Sequence, residues 1–400
     1  MCGLCCRKIA CVALSNVLRR RSAGEAPEVT NAELFFDLVY VFAITQLSHT
    51  LHHHLSARGA LETLILFFAV WWAWNYTAWA LNWIDPDRPA VRVLVLALML
   101  ISLVMSAAIP DAFHGRGVAF AGAYVGLQVL RSSFMVVAFR GQRMARNYLQ
   151  LLTWSCIAGV LWLGGAFARS DIRIGIWIAA VLVDYAAPMH GFALPRFGRT
   201  PMRDWPLAGS HLAERNRLVL LIALGESILA VGATFAGLHW TASTATDFTV
   251  GFVATGSLWW IYFAGAEEAA KIVERAEDPA RLARGGFAYA HGIMVAGVVV
   301  FAVAIELTIA EPTADSAWAA ATTLLGGSAL YLVGNALYKR ALVGSLAVSR
   351  LLALAALACL LPIALLADRL VLSVLTMLVL FALAAWTTAD FAEHEQPDTR

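Results

Sequence analysis

Apolar runs long enough to cross a bilayer, which takes about 20 residues as a helix, recur along the whole chain. Short polar breaks bearing Pro, Gly or Arg separate them. The pattern predicts helices over 33–52, 61–83, 91–109, 118–139, 147–168, 172–190, 214–237, 248–268, 286–309, 316–337, 346–366 and 370–389. The fold class expected is therefore an all-α polytopic membrane protein with about twelve transmembrane helices. The span 172–190 is the shortest and closes on Pro188. After it comes the longest polar connection, 191–213, whose Pro195, Pro201 and Pro206 suit a linker.

Basic residues orient the spans. With the N-terminus inside and the helices alternating, only Arg58, Arg116, Arg169, Arg173 and Arg369 face outward, and Arg131 and Arg350 fall within spans. The rest lie on the cytoplasmic side, as the positive-inside rule requires of an N-in, C-in protein. Twelve spans divide into two parallel six-helix repeats, 31–190 and 214–389, joined by 191–213. A repeated feature fits this division. Asp37 in the first helix is followed by Trp71-Trp72 in the second, and Glu226 in the seventh by Trp259-Trp260 in the eighth. Residues 1–30 read as a basic cytoplasmic tail and 390–400 as a C-terminal one.

Composition agrees. Hydrophobic residues make up 60% and charged residues 14%, against ~45–50% and ~25% in soluble domains. The formal net charge of +2 leaves no basic field for nucleic acid. Cys2, Cys5, Cys6 and Cys11 crowd the N-terminus, and no second ligand pair follows at zinc spacing. His49, His52, His53 and His54 close the first helix without a carboxylate partner. No metal or other cofactor is expected from either group. The chain has no Walker loop, no His-Glu-x-x-His and no Gly-x-Ser-x-Gly elbow.

Chemistry concentrates in polar groups at membrane depth, where an ionised side chain costs about 2.5–3.5 kcal/mol and persists by facing a bundle interior, a partner or a wet path. Glu33, Asp37, Tyr40 and Ser48 share one stripe of the first helix. Arg131 lies in the fourth helix, Asp184 in the sixth, Glu226 and Ser227 in the seventh, and His291 and Glu306 in the ninth. Arg215 shares a helical face with Glu226. Arg131 paired with Asp184 or Asp37 would orient helices; the same groups converging on a cavity would carry protons or bind a cation. Trp72 and Asn75 sit deep in the second helix, where they would pack or line that cavity.

The segment Glu33-Leu34-Phe35-Phe36-Asp37-Leu38-Val39-Tyr40-Val41-Phe42-Ala43-Ile44-Thr45-Gln46-Leu47-Ser48 closely resembles the opening motif of the bacterial low temperature requirement protein A family. Trp72-Ala73-Trp74-Asn75-Tyr76, Glu214-Arg215, Leu224-Gly225-Glu226-Ser227-Ile228 and Tyr289-Ala290-His291 fit the same family. The resemblance runs from about residue 29 to about 388 and implies a multi-pass protein of the bacterial plasma (inner) membrane. The family's name reflects growth in the cold and brings no catalytic set. The motif positions carried over are Glu33, Asp37, Gln46, Glu226 and His291. Phe36-Asp37 and Phe42-Ala43-Ile44-Thr45 are also similar to the first-helix motif of a potassium-channel family with six-helix repeats, although that family's serine is absent and Gly225-Glu226 stands in the seventh helix.

The expectation is a secondary transporter or channel-like protein. Glu33, Asp37, Gln46, Trp72, Asn75, Arg131, Asp184, Glu226, Ser227, His291 and Glu306 would be its transport or binding residues, with the lipid bilayer, a small ion or proton, and a second copy of the chain as partners. The alternatives are an intramembrane enzyme on a lipid or prenyl substrate, with polar groups near Glu33, Glu214 and Glu267, and a structural or sensory membrane protein.

Overall fold

A computed structural model describes residues 17–19, 28–201, 204–314 and 318–395. The N-terminal cysteines and the last five residues lie outside them. The described chain is helical: α1 (Asn31–His53), α2 (Ala57–Leu81), α3 (Pro89–Ala108), α4 (Gly117–Ala138), α5 (Arg143–Phe167), α6 (Ser170–Met189), α7 (Gly209–Ala236), α8 (Ala242–Phe263), α9 (Ala266–Arg275), α10 (Pro279–Ala283), α11 (His291–Ala310), α12 (Trp318–Val343), α13 (Val348–Cys359) and α14 (Arg369–Glu395). A π-helical segment, Arg284–Ala290, runs into α11.

Ten helices among the described residues are long and apolar enough to cross a membrane. A helix stands near each of the twelve expected spans, but two fall short. The 22 residues of α8 are long enough, yet their Thr, Ser, Gly and Asp247 content dilutes the apolar run. The 12 residues of α13 are too few. Pro362 has no amide proton and its ring crowds the preceding turn, so the expected helix 346–366 stops at Cys359 and gives way to a 3₁₀ turn, Ile363–Leu365.

The chain forms two compact units, the first comprising residues up to Thr50, Arg58–Arg215 and Glu277–Arg281, the second Leu51–Ala57, Asn216–Ala276 and Leu282–Arg400. The dividing point falls inside α7, so its opening turns, with His211 and Arg215, belong to the first unit.

In the first unit α3–α4, α4–α5 and α5–α6 pack as consecutive pairs. α1 turns Phe35, Leu38 and Phe42 outward and keeps Phe36, Tyr40, Ala43 and Leu47 in the core. Its first turn is closed by a Thr-x-x-Glu capping box: Thr30 Oγ1 accepts from the Glu33 amide, and Glu33 Oε2 accepts from the Thr30 amide at 2.9 Å. The connection before α7, expected as a linker, is a folded cap. Trp205 is buried against Trp83, Tyr148 and Phe192. Gly191 takes a positive φ where a Cβ would meet the Thr200 carbonyl at 2.8 Å. Val17–Arg19, expected in the tail, pair instead with the end of α2: Leu18 bridges Ile84, and Arg19 Nε donates to the Leu81 and Ile84 carbonyls left open there.

In the second unit the closest helix pair is α11–α12. A Cβ on Gly297 would lie 2.4 Å from the Tyr331 amide nitrogen, one on Gly327 2.6 Å from that of Phe301, and one on Gly334 2.6 Å from that of Met294. The two backbones touch because these positions lack side chains. Tyr331 then reaches across to the Leu258 carbonyl of α8 at 2.6 Å.

Candidate functional site

Two helical i, i+4 pairs interlock in the first unit. Glu33 and Asp37 lie on one face of α1, His211 and Arg215 on one face of α7. Arg215 Nη1 donates to Glu33 Oε1 at 3.1 Å and its Nη2 to Asp37 Oδ1 at 2.6 Å. His211 Nε2 donates to Glu33 Oε1 at 2.9 Å, Arg19 Nη2 to Glu33 Oε2 at 2.8 Å, and Trp74 Nε1 to Asp37 Oδ1 at 2.8 Å. Asn82 fixes the imidazole. Its amide nitrogen faces His211 Nδ1 at 3.2 Å, and it holds Ala208 through both N–H and C=O, at 2.9 Å each. With Nδ1 accepting and Nε2 donating, His211 is the neutral tautomer. Two guanidiniums then balance two carboxylates, and Glu33, Asp37, His211 and Arg215 are all buried.

A second polar chain crosses the same unit. Arg131 Nη1 donates to Thr77 Oγ1 at 3.3 Å, its Nη2 donates to Gln128 Oε1, and the guanidinium lies 5.2 Å from the centre of the Tyr76 ring. Gln128 Nε2 donates to Tyr124 OH at 2.9 Å, Tyr124 donates to Asp184 Oδ2 at 2.7 Å, and Trp162 Nε1 reaches the same oxygen at 3.0 Å. The direct Arg131–Asp184 or Arg131–Asp37 pair considered from sequence is therefore not made. Asp37 belongs to Arg215, and Arg131 reaches Asp184 only through Gln128 and Tyr124. Between the two groups Tyr40 of α1 meets Ser102 of α3 at 3.2 Å.

The remaining expected residues are apart from these chains. Trp72 stacks on Tyr185 with ring centres 3.9 Å apart, a packing role, and Asn75 is buried beside it in α2. Gln46 is half-buried on α1. In the second unit Glu226 and Ser227 are buried on α7. His291 gives its Nδ1 hydrogen to the Gly286 carbonyl at 2.9 Å and takes the Tyr262 hydroxyl on Nε2 at 2.8 Å, a neutral, fully engaged ring. Glu306 pairs with His52 at 2.8 Å. That contact accounts for one member of the histidine cluster. No group of three or more His, Cys, Asp or Glu able to hold a metal occurs among the described residues.

Arg19, Trp74, Thr77, Asn82, Tyr124, Gln128, Trp162, His211 and Arg215 are the residues that sequence reasoning did not place in the site. Two signals were available: His211 precedes Arg215 by one turn, and Tyr124, Gln128 and Arg131 recur on one face of α4.

The family model described as bacterial low temperature requirement A protein (LtrA) matches residues 28–385. The uncharacterized protein RA0937 of Rhizobium meliloti (strain 1021) is 36% identical over 325 residues, covering 80% of this chain and 79% of that protein. No solved structure matches. The matched region takes in α1 with its two acids, both polar chains except Arg19, and the Gly-Glu-Ser segment of α7, and the chain belongs to the bacterial low temperature requirement A family of polytopic membrane proteins.

Proposed function

We propose that this protein is a transport protein of the bacterial plasma membrane, a secondary transporter or channel-like protein, that moves a proton or a small ion. One observation carries the reading. Arg131 and Asp184, buried in two apolar helices, are held apart by Gln128 and Tyr124 instead of neutralising each other by contact. A bundle that needed only orientation would be served by a direct pair or by apolar packing, since separated buried charges are costly. The donors all point one way, from a guanidinium that can only donate to a carboxylate that can accept, so a change at one end reorients the whole chain. We assign Asp37 and Asp184 in the first unit, and Glu226 and His291 in the second, to the transport machinery, with Arg131 and Arg215 as countercharges.

The lipid-enzyme reading draws less support. Glu33 is closed in by Thr30, Arg19, His211 and Arg215. The groove of about 620 Å³ between α8 and α14, walled by Phe252, Trp259, Trp260 and Phe381, has no acid in its lining.

The test is ion flux in proteoliposomes under imposed proton, Na⁺ and K⁺ gradients. The wild-type protein is expected to dissipate at least one of them, and Asp37→Asn and Asp184→Asn to slow that flux by about tenfold or more while still purifying as a folded species. Absence of flux in every gradient, or full flux in both variants, would overturn the proposal.

A further inference from the structure

The second unit holds a buried acid that neither the ion pairs nor the family motif use. Asp247 lies in the second turn of α8, Thr308 near the end of α11 and Ser373 in the second turn of α14, three helices that pack on one another. Asp247 is 1% exposed, yet neither carboxylate oxygen closes a hydrogen bond, and no ion pair reaches it among the described residues. Its carboxyl faces the hydroxyls of Thr308 and Ser373. Thr308 has already spent its hydrogen on the Ile305 carbonyl, at 3.1 Å, so it presents a lone pair to the acid. Ser373, and Thr376 one turn on, are buried with hydroxyls that have no partner.

A buried carboxylate that closes no hydrogen bond and no ion pair in an apolar surrounding calls for a positive partner, and the hydroxyl oxygens beside it carry lone pairs that can share in holding one. The nearby ionised side chains do not supply it. Asp368 is another acid, engaged through Oδ1 with the Val371 amide at 2.8 Å at the start of α14. Arg369 is directed to Glu311 at 3.2 Å and to the Leu307 carbonyl at 3.0 Å.

The geometry points to a binding site for one small monovalent cation, Na⁺ in the first place, held by the Asp247 carboxylate and the hydroxyls of Thr308 and Ser373. The donor set is all oxygen, which suits hard cations and not zinc or copper. A single fully buried carboxylate matches a single positive charge. The site lies in helices that carry neither of the two polar chains above and does not depend on the transport reading.

The experiment is thermal unfolding of the purified full-length protein in detergent, titrated with NaCl, KCl, LiCl or CaCl₂ against choline chloride at constant ionic strength. A cation bound only by the folded state raises the midpoint with concentration. Na⁺ is expected to raise it by several degrees, and Asp247→Asn to abolish that response. Ser373→Ala retains the carboxylate and guards against an unfolded Asp247 variant. It is expected to shift the Na⁺ concentration for half the effect about tenfold upward, the cost of one lost ligand. Identical midpoints in all salts would mean that a proton answers Asp247 and would overturn the site. So would a response to Ca²⁺ alone, or an undiminished Na⁺ response in Asp247→Asn.

Discussion

Arg131 and Asp184 are joined without touching: two neutral side chains, Gln128 and Tyr124, carry three hydrogen bonds between a buried guanidinium and a buried carboxylate. The arrangement spans α4 and α6, with Thr77 of α2 at one end and Trp162 of α5 at the other. Four helices of the first unit thus share one polar thread.

Tyr124→Phe tests that thread with the least change of shape. It removes the hydroxyl that links Gln128 to Asp184 and leaves the carboxylate with Trp162. A destabilisation of about 1–3 kcal/mol is expected, the cost of stranding buried polar partners. Denaturant midpoints measure it, and flux in the same preparation should fall with it. An unchanged midpoint and flux would show that the link is incidental.

Arg215 holds Glu33 and Asp37 at once. Arg215→Gln leaves two buried acids one helical turn apart with one fewer cation, and a loss of about 3–5 kcal/mol is expected. The double variant Arg215→Gln with Asp37→Asn removes a charge of each sign and should recover part of it. A double-mutant cycle on unfolding midpoints gives the coupling, and simple additivity would contradict the pairing seen here.

Neighbouring glycines of α12 should behave in opposite ways. Gly327→Ala places a Cβ 2.6 Å from the Phe301 amide nitrogen, whereas a Cβ on Gly326 meets nothing within 4 Å. Gly327→Ala should therefore force α11 and α12 apart, lowering the yield of folded protein and its midpoint. Gly326→Ala should match wild type. Size-exclusion profiles and thermal unfolding decide it, and equal behaviour of the two would argue against the close helix contact.

The family name supplies a cellular readout. Asp37→Asn and Glu226→Gln should insert normally in the membrane yet fail to restore growth in the cold to a strain lacking this protein. Normal rescue by both neutral variants would remove their charge from the mechanism.

Much of this was legible in the sequence, for physical reasons that also set its limits. Apolar run length gave the helices, because lipid demands it. It failed at α13 because Pro362 ends a helix whatever the hydropathy. Glu33 and Asp37 stood out as acids one turn apart, but the Arg215 that answers Asp37 lies 178 residues away, and locally it shows only a face shared with Glu226 on its own helix. Gln128 and Tyr124 share the Arg131 face of α4, yet being uncharged they carry no cost at membrane depth that marks them as a link between Arg131 and Asp184. Asp247 lies one residue before the expected span, where an aspartate looks like ordinary surface. Arg19 reads as part of a basic tail, since nothing local says that α2 ends with carbonyls waiting for it.

The distance between α1 and its cation has a bearing on how the protein is made. As the ribosome delivers α1, its capping box can form at once, because Thr30 and Glu33 are neighbours. Asp37, a turn deeper, waits for the guanidinium of a helix synthesised six helices later. Until α7 emerges, α1 is a segment carrying an unanswered acid, poorly suited to rest alone among lipid tails. Its final seating is thus a late event of biogenesis, coupled to the arrival of the seventh helix.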